Sequence, residues 1–353
     1  MNIATLRIKT LEPLMFRGSG EFDPSSRGVY SYASSLYMPR PSTITGALIS
    51  YFLTEESNFA DRCTNINSFN KLLECYKQIL DWLGIHALRG PYLYSLPKNI
   101  IYVPIRLGNE MLLVDYYQLC YYMLQEHGDL LKSILERDSN ETSLLELKYV
   151  EKELRRYTID LPNIRLLRTN TMLRGRSQGA SKTAMEGYIY TSEYIAYPLD
   201  IELRFKLALS NNSPLKNSEL DIALKLGGEH RIARVHLDHK CEDGIDKLFK
   251  LTNISAEYYL LLSPMILKGF SRIKYIGLLD TIGLGFSIAK RRRKPLYKAL
   301  LEGTVIRVKQ RERSLRKLLL EYGLYDFLNI YDSELQILAR VGYASAIPLI
   351  RGD

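Results

Sequence analysis

Five histidines (His86, His127, His230, His236, His239) and four cysteines (Cys63, Cys75, Cys120, Cys241) are the side chains that could carry metal or nucleophilic chemistry. His236, His239 and Cys241 lie close together in sequence. In a strand, however, residues three apart point to opposite faces, which makes a poor metal clamp. The cysteines have no Cys-x-x-Cys spacing and are expected to be reduced packing residues, with neither a disulfide framework nor a zinc site. No Ser-His-Asp or Cys-His arrangement is recognisable. His230 is the one candidate for metal-independent RNA cleavage by acid–base chemistry. No cofactor motif is found, and none is expected.

The stronger signals are cationic. Residues 164–182 carry Arg165, Arg168, Arg174, Arg176 and Lys182 and no acidic residue. Thr169, Thr171, Ser177 and Ser181 add hydroxyl donors, and glycines add flexibility. Such a loop suits sugar-phosphate contacts, although a solvated surface loop could carry the same residues. Lys290, Arg291, Arg292, Arg293 and Lys294 form the densest run of charge. Five adjacent cations repel one another, and a phosphate or acidic partner relieves that repulsion; a solvated turn is the plainer reading. Gly283 and Gly285 precede the run. No Lys-Ser/Thr follows them, and no third glycine completes a dinucleotide fingerprint.

Two smaller features join these. Arg40, Ser42, Thr43 and Thr45 stand at an expected helix start, whose free N–H groups form a ready anion site. Simple capping by Ser42 explains the pattern equally well. Gly227 and Gly228 read as a helix C-cap, and Arg231 and Arg234 follow, able to reach RNA or to pair with Glu229.

These features need a frame to position them. The chain has 353 residues, 46% of them hydrophobic, which predicts two packed domains. The net charge of +9 is unevenly spread. Residues 1–150 hold 14 Lys/Arg against 16 Asp/Glu, and residues 151–353 hold 34 against 23. The asymmetry points to a polyanionic partner for the second part. The apolar runs are short and the start lacks a signal-peptide pattern, so a cytoplasmic protein without a membrane span is expected.

Alternation predicts a first strand over 3–11. Helices are predicted from Ser42 and over 68–83, and strands near 86–95 and 100–106. Residues 115–156 read as helical with a break at 138–142. A strand, a basic tip and a returning strand fill 164–190. Beyond 199 the pattern predicts strand 199–209, helix 217–226, strand 229–238, helix 244–251 and strand 255–262. A long helix near 312–328 and strands near 335–341 and 347–350 follow. Short alternating elements predict an α+β fold: antiparallel sheets with helices on one face, as two tandem ferredoxin-like (RRM-like) domains over 1–198 and 199–353.

Four stretches carry a family resemblance. They are Leu11–Arg17, ending in Phe16-Arg17; the proline-led Pro39–Leu48; Thr183–Tyr190; and Gly227–Arg231 continuing through Ile276, Gly277, Asp280, Lys294, Pro295, Ala299 and Gly303–Val305. Together they resemble the RAMP superfamily, and within it the third subunits of the Cmr complex, the type III-B CRISPR effector of antiviral defence. The resemblance implies a helical insertion (about 110–160) and a basic thumb hairpin (about 164–190) in the first ferredoxin-like domain. It also implies a non-catalytic subunit that holds the 5′ tag of the CRISPR RNA and contacts a large polymerase-like subunit and a backbone RAMP subunit. The residues expected at RNA are Arg17, Arg40, Ser42, Thr43, Thr45, Arg168, Thr169, Arg174, Arg176, Ser177, Lys182, Arg231, Arg234, Gly283, Gly285, Lys290 and Arg291. The five-cation run exceeds the family pattern. A guide-processing endoribonuclease using His230, and a protein-only scaffold, are the alternatives.

Overall fold

The computed structural model describes residues 2–18, 32–55, 68–108, 110–136, 141–169, 189–217, 219–228, 231–241, 243–250, 256–269, 273–284, 286–287, 292–293, 295–308, 316–319 and 322–350. In chain order these form β1 (Asn2–Thr10), β2 (Tyr32–Ala33), α1 (Pro41–Glu55), α2 (Phe69–Trp82), β3 (Ile85–Ser95), β4 (Ile100–Ile105), β5 (Leu112–Asp115) and α3 (Tyr116–Tyr121). A π-turn (Tyr122–Glu126) leads into α4 (Gly128–Glu136) and α5 (Glu141–Leu154). Then come β6 (Asn163–Thr169), β7 (Ile189–Ile195), β8 (Ile201–Leu209), β9 (Asp221–Lys225), β10 (Ile232–Asp238) and α6 (Gly244–Lys250). The chain closes with β11 (Tyr258–Leu261), β12 (Met265–Ile266), β13 (Tyr275–Ile276), β14 (Leu279–Gly283), β15 (Phe286–Ser287), β16 (Arg292–Arg293), β17 (Leu296–Leu300), β18 (Val305–Arg307), α7 (Arg316–Leu319), α8 (Leu324–Phe327), α9 (Ser333–Val341) and β19 (Ala346–Pro348).

The fold is mixed, with antiparallel sheets. The largest has seven strands in the order β5-β4-β3-β8-β1-β10-β9, and a second has the order β13-β18-β11-β19. The large sheet draws β8, β9 and β10 from beyond residue 199 and lays β8 between β1 and β3. It therefore runs across the expected boundary at 198/199, and one apolar core extends through both sheets.

Three expected elements differ. Residues 221–225 form a strand where a helix over 217–226 was expected. Leu220, Ile222, Leu224 and Leu226 alternate, and that period of two outweighs the helix-forming Ala, Leu and Lys. Residues 333–341 form a helix where a strand was expected. Asp332 caps its start by accepting from the Glu334 and Leu335 N–H groups, Gly342 ends it, and Leu335, Leu338, Ala339 and Val341 fill its inner face. The expected long helix near 312–328 is two short helices on either side of Gly323. Among the cysteines, Cys75 is disulfide-bonded to a partner outside the described residues, whereas Cys120 and Cys241 are free. Sequence spacing does not show how near two Cα atoms come in space.

Alternation predicted helices on one face only, yet all nine residues of β8 are buried. Leu203, Phe205 and Leu207 enter the apolar core. Glu202, Arg204 and Lys206 alternate with them, and the segment around Asp238–Asp246 closes over that charged row. Lys206 Nζ lies 3.1 Å from Asp243, 2.6 Å from Asp246 and 2.7 Å from Thr5 Oγ1. Arg204 binds Glu202 at 2.8 Å and Asp243 at 3.2 Å, and Tyr92 donates to Asp243 at 2.7 Å. Arg7 on β1 bridges Glu202 and Asp238. A second tie joins the large sheet to two helices: the guanidinium of Arg89 on β3 donates to the carbonyls of Leu318 on α7 (2.8 Å) and Ala339 on α9 (2.6 Å).

Replacing Lys206 by Met strands Asp243 and Asp246 without their shared cation. A loss of about 3 kcal/mol is expected, because breaking a buried pair leaves an uncompensated charge; urea unfolding measures it. Burial alone would raise the Asp243 carboxyl, but Lys206, Tyr92 and Arg204 outweigh it and hold the pKa below the ordinary range. Glu202 is likewise desolvated and is held down by Arg7 and Arg204. Asp246 shifts the other way, raised chiefly by burial. For Asp243 and Glu202 the folded value lies beneath the unfolded one, so their stabilisation is complete above about pH 4 and lost as pH falls through the folded values. The unfolding midpoint should therefore drop in acid below about pH 4.

Candidate nucleic-acid interface

Pro41 opens α1, where its fixed φ and missing N–H suit the first turn. The Thr43 N–H donates to the Arg40 carbonyl at 2.9 Å. Ser42 therefore lies inside the helix and does not cap it, and its hydroxyl shares a hydrogen bond of 3.0 Å with the Tyr343 hydroxyl. The Arg40 guanidinium donates to the Gly283 carbonyl at 3.4 Å, which places the end of β14 beside the start of α1. Thr45 does not belong with this group. It is 3% exposed, and its hydroxyl donates to the Val341 carbonyl at 3.0 Å. One helical turn carries it from the rim to the core, so its expected role as an RNA donor is corrected to a tie between α1 and α9.

Just before this corner, the Tyr37 carbonyl accepts from the Tyr197 hydroxyl, and the Tyr37 hydroxyl accepts from Asn163 Nδ2 at 3.4 Å. Asn163 begins β6. It pairs antiparallel with β7 over Asn163↔Ile195 to Thr169↔Ile189, and β2 adds to the other side of β7. The paired strands thus rise from a base that Tyr37 connects to Arg40 and Gly283. Arg165 is exposed, 3.9 Å from Glu193, and the backbones of Arg168 and Thr169 end β6. Arg174, Arg176, Ser177 and Lys182 lie outside the described residues, as do Gly285, Lys290, Arg291 and His230. The backbones of Arg292 and Arg293 form β16, which pairs with β15 in a two-stranded sheet of its own.

Gly227 and Gly228 do not cap a helix. They turn β9 into β10, and Gly227 has φ +82°. A Cβ there would meet the Met15 carbonyl at 2.3 Å, and the Gly228 N–H donates to that same carbonyl at 2.8 Å. Glycine is needed because another backbone occupies the space. Arg17 lies on this strap, exposed and bridged to Ser35. Arg231 is half-buried and pairs with Glu12 at 2.5 Å, its guanidinium 4.4 Å from the centre of the Tyr194 ring. Arg234 is exposed on β10 and forms a two-point pair with Asp221. Sequence reasoning missed Glu12, Tyr37 and Tyr194, whose contacts with Arg231 and Asn163 join residues remote in sequence.

The family described as CRISPR-associated protein (Cas_Cmr3) matches residues 6–346. The chain belongs to this family. The resemblance in the sequence to the third subunits of the Cmr complex is borne out. Among characterised members, the CRISPR system CMR subunit Cmr3 of Saccharolobus solfataricus is 29% identical over 311 residues, covering 85% of this chain and 84% of that protein. The Cas_Cmr3 architecture is also shared in three dimensions. A chain in the cryo-EM structure of type III-B Cmr-beta bound to cognate target RNA and AMPPnP superposes with a TM-score of 0.65 at 22% identity, covering 98% of this chain and 96% of that one. A chain in the complex bound to cognate target RNA alone gives 0.65 at 24% identity, with the same coverage. No helix among the described residues is long and apolar enough to cross a membrane.

In this Cas_Cmr3 chain, Thr45→Val should lower stability by about 1 kcal/mol, the net worth of a buried hydrogen bond. It should leave RNA affinity and its salt dependence unchanged. A shift in the unfolding midpoint with unaltered RNA titrations is the expected pair of results.

Proposed function

We propose that this chain is a non-catalytic RNA-binding subunit of a type III-B CRISPR effector that holds the 5′ end of the guide through its phosphates. The observation that carries this reading is the pair of contacts made by one short stretch of chain, Tyr37 to Asn163 and, three residues later, Arg40 to Gly283. It gathers the base of the basic hairpin, the start of α1 and the glycine end of β14 from three distant parts of the sequence. Arg40 and Ser42 with the Thr43 side chain, Arg17 and Arg234 then line the approaches. RNA contacts are also assigned to Arg168, Thr169, Arg174, Arg176, Ser177 and Lys182 of the hairpin segment and to Gly285, Lys290 and Arg291, on the strength of their residue types. Backbone contacts of this kind position RNA, and sequence is read only where bases are splayed onto side chains.

Both sheets support two ferredoxin-like units. Read in order of appearance along the chain, β3-β8-β1-β10 and β13-β18-β11-β19 each run 2-3-1-4, the strand order of that fold. The β6–β7 pair is then the stem of the thumb. The chains of similar fold come from type III-B Cmr-beta complexes bound to cognate target RNA; a cytoplasmic ribonucleoprotein, with a large polymerase-like subunit and a backbone subunit as neighbours, is the setting we propose for this chain.

Purifying the chain with its native partners and sequencing the bound RNA should return one uniform short 5′ tag. Arg174→Ala with Arg176→Ala should lower guide affinity and reduce the salt slope by about 0.7 for each phosphate of single-stranded RNA that the variant no longer neutralises. Unchanged binding across salt sinks the assignment. Specific cleavage of precursor RNA by the chain alone, abolished by His230→Ala, would replace the non-catalytic reading with a nuclease.

A further inference from the structure

The stem of the basic hairpin meets the main core at its base, through Ile195. Its other inner residues form a separate small cluster, in which Met15 and Tyr194 are buried with Ile164 against them. Met15 belongs to the strap that leaves β1. That strap is stitched to β7 by two backbone hydrogen bonds, Leu14 N–H to the Ile195 carbonyl (2.9 Å) and Ile195 N–H to the Leu14 carbonyl (2.8 Å). On its other side it holds the β9–β10 turn, through the Met15 carbonyl and the Gly228 N–H. A short stretch of chain thus connects the stem to the large sheet.

Glu12 stands at the head of this strap. One carboxylate oxygen accepts from Arg231 at 2.5 Å, and the other accepts from the Ile232 N–H at 2.8 Å, where β10 begins. The Arg231 guanidinium lies over the Tyr194 ring, capping the small cluster. Burial works against its charge, and Glu12 and Tyr194 outweigh that cost and raise its pKa. The guanidinium is paired with a carboxylate and stacked on an aromatic face, while its buried Nε has no hydrogen-bond partner among the described residues.

We propose that Glu12, Arg231 and Tyr194 form the joint that sets the direction of the β6–β7 hairpin, and that Arg231 acts on RNA by positioning this hairpin and not by touching phosphate. The second half of this statement rests on the RNA-binding reading above. A joint and a phosphate ligand predict opposite signs at Glu12. Glu12→Gln removes a negative charge beside an RNA path, so a purely electrostatic surface would bind RNA more tightly. The joint instead loses its ion pair, and binding weakens.

The test titrates guide RNA into the full chain, over a range of salt, for wild type, Glu12→Gln, Arg231→Gln and the double variant. Each single variant should lose affinity on the order of tenfold, the size of a missing charge-assisted hydrogen bond. The salt slope should stay unchanged, and the double variant should be no worse than either single one, since both break the same ion pair. Hydrogen exchange of the Leu14 and Ile195 amides should accelerate in all three. Tighter binding by Glu12→Gln, or a slope lowered only by Arg231→Gln, overturns the joint and makes Arg231 a phosphate ligand. Arg174→Ala with Arg176→Ala is the control. If it weakens binding while Glu12→Gln does not, the joint fails and RNA binding stands. If wild type binds no guide RNA, both the RNA reading and the positioning role fail, and unchanged exchange at Leu14 and Ile195 rejects the joint itself.

Discussion

A lysine buried to 1% exposure beneath two aspartates is the constraint on which the large sheet depends. Lys206 lies on β8, between β1 and β3. Taking its charge out of water costs several kcal/mol, and only a close set of counter-charges offsets that cost. Asp243, Asp246 and Thr5 provide it, and Arg204 with Glu202 continues the row. The aspartates come from the segment that closes over this face and opens α6. The charged face of β8 thereby fixes the path by which the chain leaves the large sheet for β11 and the second one. These carboxylates and cations are taken up with one another, which suits a structural network better than proton transfer.

Apolar packing and directed charge divide the remaining work. Apolar residues fill one core through both sheets, and Arg89 ties β3 to the carbonyl ends of α7 and α9. The hairpin stem meets this core through Ile195 at its base and otherwise packs on a small cluster of its own. An element held by a few contacts can have its direction set by a few residues, whereas an element embedded in the main core cannot. The same geometry separates neighbours in the sequence. Ser42 reaches the Tyr343 hydroxyl near the rim, while Thr45 one turn later points inside.

The cationic surface and the packed frame belong together through backbone approach. Gly227 lets the Met15 carbonyl sit where a side chain would stand, and Arg40 meets a glycine carbonyl at the end of β14. In both places a glycine that the sequence singled out has a protein partner. These contacts hold the backbone of loops whose charges remain presented to solvent.

Much was legible in the sequence by itself. The paired strands β6 and β7, the strands at 3–11, 86–95 and 100–106, the helices at 42 and 68–83, and the family were all readable, because period and caps are local; the basic tip between β6 and β7 lies outside the described residues. The strand at 221–225 and the helix at 333–341 were also encoded locally, by alternation and by Asp332 with Gly342, but weaker propensity cues masked them. Only the tertiary structure decided what Glu202, Arg204 and Lys206 do. Their alternation looks the same whether the second face meets water or Asp243. It alone placed Thr45 in the core, joined Arg231 to Glu12 across 219 residues, and brought Tyr37, Arg40 and Gly283 to one corner. Ion pairs and stacking depend on distance in space, and sequence separation carries no record of it.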